Sequence, residues 1–84
     1  MKSVNYVEDE YTLNKVELNK SAIIKDVKCK EALKNRIFDL GIIKNSIITP
    51  IYKSPFGDPT AYMVKNAVIA LRYKDCQDIV VTPL

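Results

Sequence analysis

Enzymatic chemistry needs a nucleophile beside a base, or paired carboxylates in a pocket. This 84-residue chain spaces its reactive side chains for neither, because it has no histidine and its two cysteines, Cys29 and Cys76, form no Cys-x-x-Cys pair. A thiolate at either position would have to be activated by lysine alone. No catalytic residue is therefore assigned, the protein is not expected to be an enzyme, and no zinc or haem site is expected. Each cysteine lies in an apolar setting and reads as a small buried thiol, with a disulfide as the alternative. The acidic run Glu8-Asp9-Glu10 could meet a ferrous ion, but it offers no fixed geometry. No metal or cofactor is assigned.

What remains is the chemistry of binding. Asp58 is a carboxylate held between Gly57 and Pro59, where it either serves a partner or caps its own turn by accepting backbone N–H groups. Phe56, two residues earlier, is either an exposed aromatic anchor for a partner or a cover for the mouth of the fold. Arg36 and Arg72 are the two arginines beside eleven lysines. A guanidinium's planar fork suits one defined carboxylate, so a structural pair with Asp58 or Asp39 is expected, with partner contact as the alternative. The net charge of +3 is otherwise spread in ones and twos, unlike the concentrated stripe that grips nucleic acid. Five scattered tyrosines supply no stacking platform either.

These residues need elements to position them. Eighty-four residues enclose one core, and 48% apolar content with interspersed charges is globular. Residues 1–11 are polar and aperiodic, a leader expected to be mobile, and residues 12–84 form the domain. Leu13, Val16 and Leu18 make an apolar lead-in to a turn at Asn19-Lys20-Ser21. Ala22–Val27 reads as a strand. Lys30–Leu40 reads as a helix because Leu33, Ile37 and Leu40 recur at i, i+4 and i+7, and Gly41 ends it.

Ser46–Lys53 reads as the second strand, with Pro50 at an edge or bulge. Residues 54–59 hold two prolines and a glycine and mark a rigid loop. Thr60–Val64 and Ala67–Leu71 flank a turn at Lys65-Asn66, Tyr73–Asp78 is at most a helical turn, and residues 79–82 close the chain as a strand. A parallel sheet would need crossover helices that this order lacks. The expected fold is mainly β with one or two short helices, a small SH3-like antiparallel β-barrel.

Three motifs in order resemble those of the FeoA family. Arg36-Ile37-Phe38-Asp39-Leu40-Gly41 resembles R-L-x-x-L-G, Pro55-Phe56-Gly57-Asp58-Pro59 resembles P-x-G-D-P, and Ala70-Leu71-Arg72 resembles A-L-R. Cys76-Gln77-Asp78-Ile79-Val80-Val81 is similar to that family's A-x-x-I-x-V, with Cys76 in place of alanine. Where many members have glycine in three turns, this chain has Asn19-Lys20, Asn45 and Asn66; asparagine is the least costly non-glycine residue at positive φ.

The resemblance implies an SH3-like barrel that serves ferrous iron uptake beside FeoB, a membrane ferrous iron transporter with a cytoplasmic GTP-binding domain. It implies a cytoplasmic protein recruited by that partner to the inner face of the membrane, without insertion, which agrees with the lack of an apolar run of membrane-spanning length. The partner-binding residues it selects are Leu40, Gly41, Pro55, Phe56, Gly57, Asp58, Pro59 and Arg72. The alternative is a regulatory or scaffold module that self-associates weakly through sheet edges.

Overall fold

The computed structural model describes residues 11–84, so the acidic run at 8–10 and the rest of the expected leader before Tyr11 lie outside the described residues. Tyr11 itself is held: its carbonyl accepts the Val81 N–H at 2.9 Å, and Thr12 bridges to Val80. A single 3-10 turn, Leu13–Lys15, then buries Leu13. Five strands follow, β1 (Ala22–Val27), β2 (Ile47–Lys53), β3 (Thr60–Val64), β4 (Ala67–Leu71) and β5 (Ile79–Pro83). Helix α1 (Glu31–Asp39) lies between β1 and β2, and the one-turn helix α2 (Tyr73–Cys76) between β4 and β5.

The strands form one antiparallel sheet in the order β4-β3-β2-β1-β5. Alternation in β1 turns Ala22 and Ile24 inward, yet Val27 is also buried, which strict alternation would forbid. The register with β5 shifts between Ile24 and Asp26, and this bulge resets the parity so that Val27 rejoins the core. A second shift, between Pro50 and Tyr52, bends β2 against β3. Pro50 therefore sits beside a bulge, as its missing N–H requires. Its carbonyl accepts the Asn19 N–H at 2.6 Å.

The two bends curl the sheet until residues from every strand share one core, including Ile24, Ile48, Tyr62, Val64, Leu71, Ile79 and Val81. Full burial of a side chain such as Ile24 or Ile48 contributes about 2 kcal/mol. The curl is not sealed: among the described residues no ladder joins β4 to β5, which remain the two ends of the strand order.

Helix α1 ends as its sequence dictates. Gly41 takes φ +91°, its N–H meets the Phe38 carbonyl at 2.9 Å, and the Ile42 N–H reaches back to the Ile37 carbonyl at 3.2 Å. This closure brings the residue after the glycine over the last turn, and Ile37 and Ile42 are both fully buried. Leu40 departs from the apolar face expected of it and stands 41% exposed. Ile42, drawn in by the closure, fills the core position instead.

The turns confirm the asparagine reading. Asn19, Asn45 and Asn66 have φ of 66°, 74° and 68°, and Lys65 joins them at 50°. Two consecutive residues at positive φ make the β3–β4 connection a turn whose twist matches that of its strands.

Candidate functional site

The loop at 54–59 is fixed at its base and free at its tip. Gly57 donates to the Ser54 carbonyl at 2.8 Å, and Ser54 donates back to the Pro59 carbonyl at 3.2 Å. Gly57 has φ +88°, which a residue with a Cβ adopts only at a cost, and the Asp58–Pro59 peptide is cis. Phe56 is thereby lifted to 94% exposure, so it does not cover the mouth of the barrel.

Asp58 neither caps its own turn nor pairs with an arginine. Its Oδ1 accepts the backbone N–H of Tyr73 at 2.8 Å. Tyr73 is the first residue of α2, and its flanking residue Arg72 offers no side-chain cap, so Asp58 satisfies an N–H that the short helix leaves open. The carboxylate therefore ties the Phe56 loop to the segment that follows β4. The expected ion pairs of Arg36 and Arg72 with Asp39 or Asp58 do not form; among the described residues neither arginine has an ion-pair partner. Asp58 is engaged by a backbone donor, and the two arginines face a common space instead.

That space is a cleft of about 350 Å³ between α1 and the end of β4. Arg36 and Ile37 line it from α1 and Leu40 from that helix's C-cap, Ala70 and Leu71 from β4, Arg72 from the residue joining β4 to α2, and Lys74 and Asp75 from α2. Of the residues selected from sequence, the cleft gathers Leu40 and Arg72. Gly57 lines a separate depression of about 100 Å³ beside the 3-10 turn, where Tyr73 also contributes. Pro55, Phe56, Asp58 and Pro59 line neither and are exposed on their loop. Gly41 stands at the helix end, where an added Cβ would meet nothing nearer than Lys65 Cδ at 3.8 Å. The glycine is there for its backbone, not for space.

Sequence reasoning named Arg36 but missed three participants, Tyr73, Lys74 and Asp75. Tyr73 anchors Asp58 through a backbone atom, which no side-chain pattern reveals. Lys74 and Arg36 add to the charge of Arg72, but their convergence depends on how α1 lies against β4. Asp75 is the one carboxylate in the cleft lining.

The cysteines are both free, Cys76 buried and Cys29 half-buried. Burial, partly offset by the hydrogen bond shared with Tyr62, pushes the Cys76 thiol up to about 11. Its Sγ lies 3.2 Å from the Tyr62 hydroxyl, whose own ionisation is pushed up mainly by burial. At neutral pH only about one Cys76 in ten thousand is thiolate. Burial also raises the Cys29 thiol. Neither is an activated nucleophile.

Among the described residues, no group of three or more Cys, Asp or Glu side chains could hold a metal ion, and the run at 8–10 lies outside them. Nor is any described helix long and apolar enough to cross a membrane.

Solved structures share this architecture. The NMR structure of the FeoA protein from Chlorobium tepidum superposes with a TM-score of 0.83 at 22% identity, covering 87% of this chain and 70% of that one. A FeoA-like protein from Clostridium acetobutylicum gives 0.80 at 28% identity over 89% of this chain and 87% of that one. The crystal structure of Stenotrophomonas maltophilia FeoA complexed with zinc, described as an SH3 domain protein, gives 0.73 at 28% identity over 83% and 87%. No curated protein sequence matches the chain. The FeoA domain model matches residues 11–83, all but the last of the described residues, and the chain therefore belongs to the FeoA family.

Proposed function

We propose that this protein is a non-enzymatic accessory of bacterial ferrous iron uptake, binding the cytoplasmic region of an FeoB-type transporter and modulating transport or its GTP-binding domain. Its family is linked to ferrous iron transport, and the S. maltophilia relative is described as a candidate activating factor for that process. The observation on this chain that carries the reading is Phe56, a large rigid side chain 94% exposed on a loop whose base is hydrogen-bonded and whose flank is tied down by Asp58. Holding such a side chain out in water gains the folded protein nothing, whereas a partner's pocket would gain its full apolar area at little cost in entropy. The contact surface proposed is Leu40, Gly41, the loop Pro55-Phe56-Gly57-Asp58-Pro59, and Arg72. On this reading the protein works in the cytoplasm and meets the membrane through its partner. Pull-down of the transporter's soluble cytoplasmic region, and of the full-length transporter in detergent, tests it; capture of neither sinks it.

A second reading is favoured by one observation, the outer edge of β4, which no strand pairs among the described residues. Such an edge can template pairing with another copy, which fits a self-associating regulatory scaffold. Sedimentation that stays monomeric across a wide concentration range removes that reading.

A further inference from the structure

The outer edge of β4 reaches, at Ala70, the cleft lined by Arg36 and Arg72, which have no ion pair among the described residues. The two-residue turn at Lys65-Asn66 makes Val64 and Ala67 a hydrogen-bonded pair, so Ala67, Ile69 and Leu71 direct their backbone groups to β3. The N–H and C=O groups of Val68 and Ala70 then point away from the sheet, and among the described residues no backbone group bonds them. Edge strands are normally protected by a charge, a proline or a covering segment. Ala67-Val68-Ile69-Ala70-Leu71 has no charge and no proline. On its far side, across the cleft, stands α1.

The charges select what enters. Arg36 on the α1 wall and Arg72 at the end of β4 carry no ion pair among the described residues, and Lys74 adds a third cation against the single carboxylate of Asp75. Unpaired guanidinium groups facing one space favour carboxylates, which they bind through two parallel hydrogen bonds.

We infer that the cleft between α1 and β4 takes up an extended acidic segment of the protein's partner, which adds to β4 as a further strand through Val68 and Ala70 while its carboxylates meet Arg36 and Arg72. The identity of that partner rests on the function proposed above. The chemistry of the cleft does not. Backbone pairing supplies affinity with little dependence on sequence, and the arginines supply the preference for acidic residues.

The test uses the full chain, isotope-labelled, titrated with a synthetic peptide of about ten residues alternating glutamate and valine, and separately with its lysine–valine counterpart. The expected result is a set of amide shifts centred on Val68 and Ala70, with shifts at the Arg36 and Arg72 side chains, for the acidic peptide only. Arg36→Glu with Arg72→Glu should weaken binding about tenfold, since both side chains are exposed and each contributes modestly. Ala70→Pro removes one outward donor, leaves the ladder to β3 intact, and should weaken binding comparably. Should that variant fail to fold, the exposed arginine pair decides.

Equal binding of both peptides, undiminished binding by the charge-reversed variant, shifts centred on Phe56, or a dimer joined across β4 would each overturn the inference. Peptide binding without capture of the transporter contradicts the partner named above and leaves the cleft standing. Transporter capture that survives both sets of substitutions contradicts the cleft alone.

Discussion

The Asp58 carboxylate accepts the Tyr73 backbone N–H at 2.8 Å, across fifteen residues of sequence, and so couples the loop that displays Phe56 to the start of α2. It is a charge-assisted bond to a group that a one-turn helix cannot satisfy internally. Asp58→Ala should destabilise the fold by about 1 kcal/mol, at the modest end for a helix cap because the site is exposed. Asp58→Asn, which keeps an acceptor, should cost about half of that. Urea unfolding measures both, and faster hydrogen exchange at the Tyr73 amide in the alanine variant would place the loss at this bond.

Gly41→Ala isolates the cost of backbone conformation. The nearest atom to an added Cβ is 3.8 Å away, so there is no clash, and φ +91° is the whole penalty. A loss of about 1–2 kcal/mol is expected. For a domain of this size that lowers the melting temperature by about 4–16 °C. A variant that melts with the wild type would contradict the helix closure described for Ile37 and Ile42.

Much of this fold was legible because it depends on short-range rules. The strand limits Ala22–Val27, Thr60–Val64 and Ala67–Leu71 follow from alternation and β-branched residues, and the asparagines at positive φ follow from turn chemistry. Leu40 was misplaced because α1 ends at Asp39 and Leu40 is its C-cap, one residue before the closing glycine; the closing turn puts Ile42 in the core instead. The site was less legible. Phe56 and Asp58 are prominent in sequence, but Asp58 pairs with a backbone N–H, and every non-proline residue has one. Arg36 and Arg72 are distant in the chain, and their common cleft is a product of packing α1 beside β4.

Alkaline pH should weaken the fold through Cys76. Its thiol ionises near 9.0 when free and near about 11 when folded, mainly through burial, so the folded state holds the proton more tightly. Stability from this group is complete below pH 9 and is lost as pH rises through 11, by up to about 3 kcal/mol. Tyr62 acts in the same direction from a higher starting point. Urea midpoints compared between pH 8 and 10.5 should fall in the wild type, and fall less in Cys76→Ala. Equal slopes for the two proteins would contradict a buried, protonated thiol.

The proposed function has the Phe56 loop dock on a transporter of the FeoB type. Titration calorimetry of the wild type and of Phe56→Ala against the transporter's cytoplasmic region tests it most directly. At 94% exposure the substitution should leave the unfolding curve unchanged while weakening binding at least about tenfold, as removal of an interface anchor does. Saturable binding by the wild type with that loss in the variant is the predicted result. Binding of equal strength by both proteins, or none by the wild type, would contradict it.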